Sequence, residues 1–487
     1  MSKPSTIGEL KQSGYKIVSV KDEMRRNLIR KLKEKENIFP GIIGYEKTVI
    51  PELIHADLGK HDFILLGLRG QAKTRILRSL ITLLDEEIPM IKDAPLNDNP
   101  FAPISRVAID MVEKFGDDTP IEWLRREDRY GEKLATPDVT VADLIGDIDP
   151  IKAATQKLHY ADERVMHFGV IPRSNRGIFA INELPDLQPR IQVSLFNILE
   201  EKDFQIRGFN VRIPMDILVV FSANPEDYTN RGSIITPLKD RIDSQILTHY
   251  PMTIEDGMKI TEQEAWQKRD LEIPVPLYFK EIIEQIAFQA RASEFIDQKS
   301  GVSARLTISS LENLISTAER RAIILNETHP FPRVCDLYYL IPAITGKVEL
   351  VYEGEQQGVA QVARVLIGRA IKAVFKQYFP DPLSKKDMVV YQQILAWFST
   401  NRLDVNNDMT FEEYFNRLQR VPTLKEVAIK YLKMSESNKP DLATAMEFVL
   451  EGLHQNSSLS KDILETGSAY KDMMGAMLGK INWEKEE

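Results

Sequence analysis

The strongest constraint on the fold is one segment in which a short apolar run, a glycine-containing loop and an amphipathic helix follow one another. Residues 63–80 read FILLGLRGQAKTRILRSL. A short, continuous apolar run is typical of a buried strand in a parallel sheet. The N–H groups of the loop and the N-terminus of the helix would form a positive, concave cradle, which is a geometry that binds phosphate. The segment therefore predicts an α/β fold with a phosphate site after a strand.

The residues of this loop fit a phosphate site with one exception. Lys73 is expected to reach the β- and γ-phosphates, and the Thr74 hydroxyl is expected to bind Mg²⁺. Gly67 and Gly70 permit the turn. The pattern G-x-x-x-x-G-K-[ST] requires glycine where the chain has Ala72, and alanine disfavours positive φ. We therefore expect a narrower cradle or a small backbone shift. Taken alone, the loop also fits an incidental glycine turn before an amphipathic helix.

Two later strands end in polar residues that suit nucleotide chemistry. GIFAINELPDL (177–187) places Asn182 and Glu183 where an acidic pair would hold Mg²⁺ and polarise the attacking water. Asn182 keeps an acceptor oxygen without the charge, so it should bind metal less well. In ILVVFSANPED (217–227) the predicted strand ends at Asn224, whose side chain would orient that water. Arg241, further along the chain, could complete a neighbouring subunit's site. Each residue alone also fits an ordinary surface position, but their order favours a nucleotide site.

These residues resemble the AAA+ ATPases of the magnesium-chelatase ATPase subunit and MoxR group. The resemblance covers residues 39–250, and residues 251–330 more loosely. It is carried by the segments NIFPGIIGYEKTV (37–49), LIGDIDPIKAAT (144–155) and HFGVIPRSNRGIFAINELPDL (167–187). It implies a P-loop core with a parallel sheet, followed by a helical lid, and it implies ATP and Mg²⁺ as cofactors.

The resemblance also implies a role for each matching residue. The nucleotide would contact Ile42, Ile43, Gly67, Gly70, Gln71, Ala72, Lys73, Thr74 and, from the lid, Arg305. The metal would be held by Thr74 and Asn182. The catalytic residues would be Glu183, Asn224 and the arginine finger Arg241, with Arg231 as the second candidate for the finger.

A further implication concerns assembly and partners. Members of this group form rings, so we expect self-association of the hexamer type and coupling of ATP hydrolysis to the remodelling of a partner protein. Chelatase systems pair the ATPase with an adhesion (VWA) domain of signature D-x-S-x-S. This sequence lacks that signature, so such a partner would be a separate chain. The alternative is a nucleotide-stabilised scaffold with weak or no ATPase activity, because of Ala72 and Asn182.

Four regions are predicted along the chain. They are a basic helical leader (1–38), the AAA+ α/β core (39–250), the helical lid (251–345) and a further, mostly helical C-terminal region (346–487). Within the core, residues 88–150 are polar and contain several prolines. That stretch predicts an insertion or an elaborated loop.

The leader has an amphipathic pattern. Met24, Leu28, Ile29 and Leu32 recur at helical spacing, which predicts a helix within residues 20–36. We favour a solvated helix packed by one apolar stripe over a DNA- or membrane-binding arm. The formal net charge of −9 opposes binding to nucleic acid. The sequence also lacks the GAFTGA-type loop that sigma-54 activators have.

Composition limits the compartment. The chain has a single cysteine, Cys335, which excludes an internal disulfide and a cysteine-based zinc or iron–sulfur site. No apolar run approaches the length of a membrane helix, and the N-terminal residues lack the apolar core of a signal peptide. We therefore expect a cytoplasmic protein without a membrane span.

Overall fold

The computed structural model describes residues 3–156, 162–206, 209–225, 233–464 and 467–473. The chain divides into two compact units, Met1–Tyr250 and Pro251–Glu487.

The first unit combines strands and helices in alternation. Its strands are β1 Phe63–Leu66, β2 Glu87–Ile91, β3 Ile121–Arg125, β4 Tyr130–Leu134, β5 Gly146–Ile148, β6 Met166–Phe168, β7 Gly177–Asn182, β8 Asp203–Phe204, β9 Ile213–Pro214, β10 Ile217–Ala223 and β11 Ser244–Leu247. Its helices are α1 Ile7–Gln12, α2 Val20–Glu34, α3 Val49–Leu58, α4 Lys73–Ser79, α5 Arg106–Phe115, α6 Val141–Leu144, α7 Pro150–Gln156, α8 Val170–Arg173, α9 Pro189–Val193, α10 Phe196–Glu200 and α11 Thr236–Lys239.

A five-stranded parallel sheet organises this unit. Its order is β11-β1-β10-β7-β4, and every neighbouring pair is parallel. The three apolar runs of the sequence form β1, β7 and β10, so the predicted parallel α/β sheet is confirmed. Every residue of β1, β7 and β10 is buried, which explains why these strands read as continuous apolar runs. Strand β10 lies between β1 and β7, so the polar residues that follow these three strands share one edge.

The fifth strand of the sheet corrects the prediction of a loop or insertion over residues 88–150. Strand β4 comes from that stretch and pairs with β7, with Tyr130 opposite Ile178 and Leu134 opposite Asn182. The same stretch also supplies the antiparallel pair of β2 and β3. The sequence YGEKL has no apolar run because β4 lies at the sheet edge and is only partly buried. Pairing with β7, rather than local sequence, makes it a strand.

The leader helix α2 packs onto this sheet. Met24 and Leu28 are buried in one core cluster with side chains of β1, whereas Leu32 is 40% exposed. Many basic residues of the leader contact acidic side chains nearby, in the ion pairs Lys3–Glu87, Lys11–Asp117, Lys21–Asp62, Arg26–Asp85, Arg30–Glu34 and Lys31–Glu36. The positive charge of the leader is therefore largely balanced within the first unit.

The second unit is mostly helical. Its helices are α12 Ile254–Glu264, α13 Leu277–Arg291, α14 Arg305–Leu325, α15 Ile341–Thr345, α16 Tyr352–Gln357, α17 Val359–Tyr378, α18 Gln392–Phe398, α19 Phe411–Leu418, α20 Leu424–Leu432 and α21 Lys439–Gln455. Among the described residues, every helix falls short of the length and hydropathy that a membrane span needs. Cys335 is buried, and burial raises the pKa of its thiol.

A small sheet adds to these helices. Strands β12 Leu403–Asn406, β13 Ser460–Leu464 and β14 Gly467–Lys471 form an antiparallel sheet of order β12-β14-β13. The sequence pattern did not predict these strands. Each is short, and β12 pairs with residues distant in the chain, so its conformation depends on tertiary contacts.

A buried ion pair connects the leader to the sheet. The Arg129 guanidinium donates to both carboxylate oxygens of Glu23 at 2.7 Å, and the two side chains are only 1% and 3% exposed. Glu23 also accepts the backbone N–H of Asp85 at 2.6 Å. The Arg129 Nε donates to the carbonyl of Arg176 at 2.8 Å. Arg129 directly precedes β4 and Arg176 directly precedes β7, so one pair of charges holds α2 and the starts of two strands together.

Removing one charge of this pair should destabilise the first unit. We expect Glu23→Gln to lower the free energy of unfolding by about 3–5 kcal/mol, because it leaves the Arg129 charge buried without compensation. Arg26→Gln on the same helix is the matched control, since its pair with Asp85 is half exposed and should contribute about 1 kcal/mol or less. Chemical unfolding of the full chain measures both changes. Equal losses in the two variants would contradict a special role for the buried pair.

Candidate functional site

The loop between β1 and α4 places the predicted lysine at its centre. Lys73 is 7% exposed, and its ammonium contacts the carbonyl oxygen of Gly67 and, at 3.0 Å, that of Leu68. Thr74, the next residue of α4, is half-buried, and its hydroxyl makes no hydrogen bond to any residue that the structure describes. The first turn of α4 thus presents a cation and a hydroxyl next to each other at the carboxyl end of β1.

The backbone of this loop uses left-handed conformations. Gly70 has φ of 73°, and Ala72 has φ of 57° and ψ of 15°. Ala72 therefore adopts the conformation that the missing glycine would favour, at a cost of about 1–2 kcal/mol. Gly67 is required for space, since a Cβ there would lie 1.9 Å from Thr248 Oγ1 and 2.1 Å from Gln71 Oε1. The loop therefore carries backbone strain at Ala72.

Tyr45 connects the segment 37–49 to the phosphate loop, and no sequence pattern singled it out. Its hydroxyl lies 3.0 Å from the carbonyl oxygen of Gln71 and 2.6 Å from that of His249. Burial raises the pKa of Tyr45 to about 12, so the hydroxyl keeps its proton. Ile42 of the same segment is buried in the core, and Ile43 is half-buried. The only signal for Tyr45 was its position within the segment 37–49.

The two predicted water-positioning residues follow neighbouring strands. Glu183 comes directly after β7 with φ of 56° and ψ of 48°, and its N–H donates to Ser222 Oγ at 3.4 Å. Asn224 comes directly after β10 and is 6% exposed. The N–H of Gly67 donates to the carbonyl of the last residue of β10 at 3.2 Å. The phosphate loop, Glu183 and Asn224 therefore meet at the carboxyl edge of one sheet.

Asn182, the predicted metal ligand, is engaged at both ends of its amide. Its Nδ2 donates to Glu132 Oε1 at 2.8 Å, and its Oδ1 accepts from Ser222 Oγ at 3.0 Å. Arg78 of α4 binds Glu132 through two hydrogen bonds of 2.8 and 2.9 Å. The sequence analysis missed Glu132 and Arg78. Glu132 lies in the stretch predicted as a loop, so no pattern placed it beside Asn182.

Arg241 lies away from the phosphate loop of its own chain. It donates to Glu200 Oε2 at 2.7 Å, and its guanidinium carbon lies 4.6 Å from the centre of the Phe196 ring. Two residues later, Asp243 accepts the N–H of Asp62, which precedes β1, at 2.9 Å. Arg241 is therefore near the amino edge of the sheet, opposite the phosphate loop. Any contact with nucleotide would have to involve another subunit.

The sequence also pointed to two further arginines, Arg305 and Arg231. Arg305 is the exposed first residue of α14 in the second unit. Arg231, the second candidate for the finger, lies outside the described residues.

The donors at the sheet edge suit a metal–phosphate ligand. The described residues contain no group of three or more His, Cys, Asp or Glu side chains set to hold a metal by themselves. Mg²⁺ commonly binds to proteins through one or two oxygen ligands together with substrate phosphates. The Thr74 hydroxyl and the carboxylates of Glu132 and Glu183 are oxygen ligands of that kind, and Lys73 supplies a cation for phosphate. The residues present therefore fit Mg²⁺ that arrives with a nucleotide.

Relieving the strain at residue 72 should stabilise the chain. We expect Ala72→Gly to raise the free energy of unfolding by roughly 0.5–1 kcal/mol, because glycine adopts positive φ without steric cost. Ala154→Gly in α7 is the control, since this alanine is exposed in a helix and glycine there should cost about 1 kcal/mol. Chemical unfolding would measure both, and a loss of stability in Ala72→Gly would contradict the strain.

Comparison with known proteins gives one family match and several distant structural likenesses. The family model described as the Sigma-54 interaction domain matches residues 155–245, which include β7, β10 and the first two residues of β11. The sequence has no GAFTGA run within that match.

Among solved structures, the chain is similar to a complex between subunits BchI and BchD of magnesium chelatase (18% identity, 66% of this chain and 98% of that chain covered, TM-score 0.35). It is also similar to NtrX from Brucella abortus in complex with ATP (11%, 88% and 72%, 0.36) and to a Thermotoga maritima RuvB variant (11%, 90% and 96%, 0.34). TM-scores this low do not establish a shared fold.

The fold assignment rests on the sheet and the loop. The strand order places β10 between the strands that carry the phosphate loop and Glu183, as the resemblance in the sequence implied. The family match covers residues 155–245, which contain β7 and β10. The first unit therefore has an α/β fold in which a P-loop segment follows strand β1 of a parallel five-stranded sheet.

Proposed function

We propose that this protein is an oligomeric AAA+ ATPase of the magnesium-chelatase and MoxR group, and that it uses ATP to remodel or activate a partner protein. The observation that supports this most is the meeting of the phosphate loop, Glu183 and Asn224 at one sheet edge. Lys73 would neutralise phosphate charge, and Ile42, Ile43, Gly67, Gly70, Gln71 and Ala72 would complete the nucleotide contacts. The lone, buried Cys335 suits a reducing compartment such as the cytoplasm.

Hydrolysis would need mainly positioning and charge neutralisation from these residues. When bound, Mg²⁺ would supply positive charge that neutralises the negative charge developing on phosphate during transfer. Thr74 would offer its hydroxyl as a ligand, with Asn182 beside it. The Glu183 carboxylate would accept hydrogen bonding from water, and the Asn224 amide would hold that water in line. The placement of these groups at the ends of rigid, buried strands suits this role.

Subunits would complete each other's sites. Because Arg241 lies near the opposite edge of its own sheet, it can act as a finger only on a neighbouring subunit. Arg305 would sense the nucleotide from the helical lid, which is the role that the resemblance assigns to this position. A ring of the hexamer type would satisfy both requirements. The partner would be a separate chain with an adhesion (VWA) domain.

A second function is favoured by two specific observations. Ala72 is strained, and the Asn182 amide is held by Glu132 and Ser222. Both suit a nucleotide-stabilised scaffold in which hydrolysis is slow or absent. The scaffold predicts nucleotide binding with little or no turnover at any protein concentration, whereas ATP-driven remodelling predicts turnover that rises as subunits assemble.

Replacing the candidate base tests hydrolysis directly. We expect Glu183→Gln to reduce ATP turnover by about 10²–10⁴-fold while ATP binding remains, since the amide no longer accepts a proton. Glu86→Gln, an exposed glutamate in the same unit, should leave turnover unchanged. Turnover measured at several protein concentrations would decide the case. Bound ATP with no turnover in the wild type at any concentration would support the scaffold instead.

A mixing experiment tests the finger. Arg241→Ala and Glu183→Gln should each be inactive alone, because each lacks one half of the shared site. Mixed before assembly, they should regain turnover, since some interfaces then pair an intact Glu183 with an intact Arg241. Lack of recovery in oligomers that contain both variants would exclude Arg241 as a finger between subunits.

A further inference from the structure

The acid that usually ends the strand before Glu183 is missing, but a carboxylate lies beside its position. Asn182 is 5% exposed, and its Nδ2 donates to Glu132 Oε1 at 2.8 Å. A carboxylate only accepts hydrogen bonds, so the amide nitrogen must face Glu132 and the amide oxygen must face Ser222. The orientation of Asn182 is therefore set by its partners.

Glu132 comes from the neighbouring strand at a matching position. In the register of β4 and β7, Leu134 lies opposite Asn182, and Glu132 lies opposite Ala180. Side chains two residues apart point to the same face of a sheet, so Glu132 and Asn182 share a face. The Glu132 side chain, 23% exposed, reaches forward along the strand to the amide.

The same carboxylate faces the phosphate-loop helix. Arg78 holds both oxygens of Glu132 at 2.8 and 2.9 Å. Arg78 comes four residues after Thr74 in α4, and residues four apart lie on the same face of a helix. The carboxylate of Glu132 thus lies between the end of β7 and the face of α4 that carries the Thr74 hydroxyl.

Asparagine and glutamate form a matched pair here. An aspartate at position 182 would place a second carboxylate within hydrogen-bond distance of Glu132, where two negative charges cannot both ionise without cost. With asparagine at that position, one negative charge remains at the strand end, and an amide hydrogen bond holds it. A carboxylate is therefore present beside the end of β7 although residue 182 is an amide, and it comes from the neighbouring strand β4.

We propose that Glu132 supplies the carboxylate for Mg²⁺ in this site, with Asn182 as the residue that positions it. The inference rests on the proposed nucleotide-binding function and names the side chain that the sequence motif lacks. Arg78 holds the carboxylate toward α4. The Arg78 side chain is 64% exposed, so water screens the ion pair and we expect Glu132 variants to fold.

The experiment titrates Mg²⁺ against the binding of a fluorescent ATP analogue to the full chain, so it needs no turnover. We expect Glu132→Gln to raise the Mg²⁺ concentration for half-maximal binding by about tenfold. Binding in EDTA should not change, which shows that the variant is folded. The double variant Glu132→Gln/Asn182→Asp should return to the wild-type Mg²⁺ dependence, because it puts the carboxylate back at the end of β7.

Glu127→Gln is the matched control, since it neutralises an exposed glutamate that pairs with Arg126 just before β4 and lies outside the proposed site. Its Mg²⁺ dependence should stay within about twofold of the wild type, an allowance for an exposed pair. An equal rise in Glu127→Gln and Glu132→Gln would overturn the inference. Unchanged Mg²⁺ dependence in Glu132→Gln, or no recovery in the double variant, would also overturn it. A wild type that binds no nucleotide would instead refute the proposed function, and this inference with it.

Discussion

The buried pair of Glu23 and Arg129 is the contact on which the arrangement of the first unit depends. Two charges removed from water are tolerated only when they face each other with their remaining hydrogen bonds satisfied. Here the backbone N–H of Asp85 and the carbonyl of Arg176 meet that requirement. Glu23 belongs to the leader helix, Arg129 directly precedes β4, and Arg176 directly precedes β7. The pair therefore connects the leader helix to the starts of those two strands. It also makes the leader part of the core.

Two residues of the candidate site have strained backbone conformations. Ala72 and Glu183 both have positive φ, one in the phosphate loop and the other after β7. Such conformations persist at functional sites when the surrounding structure determines them. The strands β1, β7 and β10 supply that surrounding structure, because every residue in them is buried and the site lies directly after their last residues. The packed strands therefore hold Ala72 and Glu183 in these conformations.

The charged side chains at the site come from neighbouring strands and from the helix α4. Asn182, Glu132 and Arg78 come from β7, β4 and α4, and their hydrogen bonds join the three elements at the sheet edge. A linear sequence motif includes only the neutral amide of Asn182 at the end of β7. The neighbouring strand restores a negative charge a few ångströms away. Weak agreement with a linear motif therefore does not measure the electrostatics of the folded site.

Much of the site could be predicted because its signals are local. Residues 63–74 and the polar ends of β7 and β10 are read from short apolar runs and the residues that follow them, and the sheet placed them together as expected. Tyr45 and Glu132 could not be found in this way, since each acts through a partner far away in the chain. The exposed edge position of β4 leaves its sequence polar, so the strand itself was predicted as a loop.

The sequence by itself determined which chemical groups are available and in which order, because strand, loop and helix N-terminus are adjacent in the chain and their geometry is local. Only the tertiary structure decided which strands are neighbours, that Ala72 carries the strain of a glycine position, and that Arg241 lies far from the loop of its own chain. It also decided that Glu132 stands beside Asn182. The physical reason is that parallel pairing and ion-pair burial depend on contacts between distant segments, which no local pattern encodes.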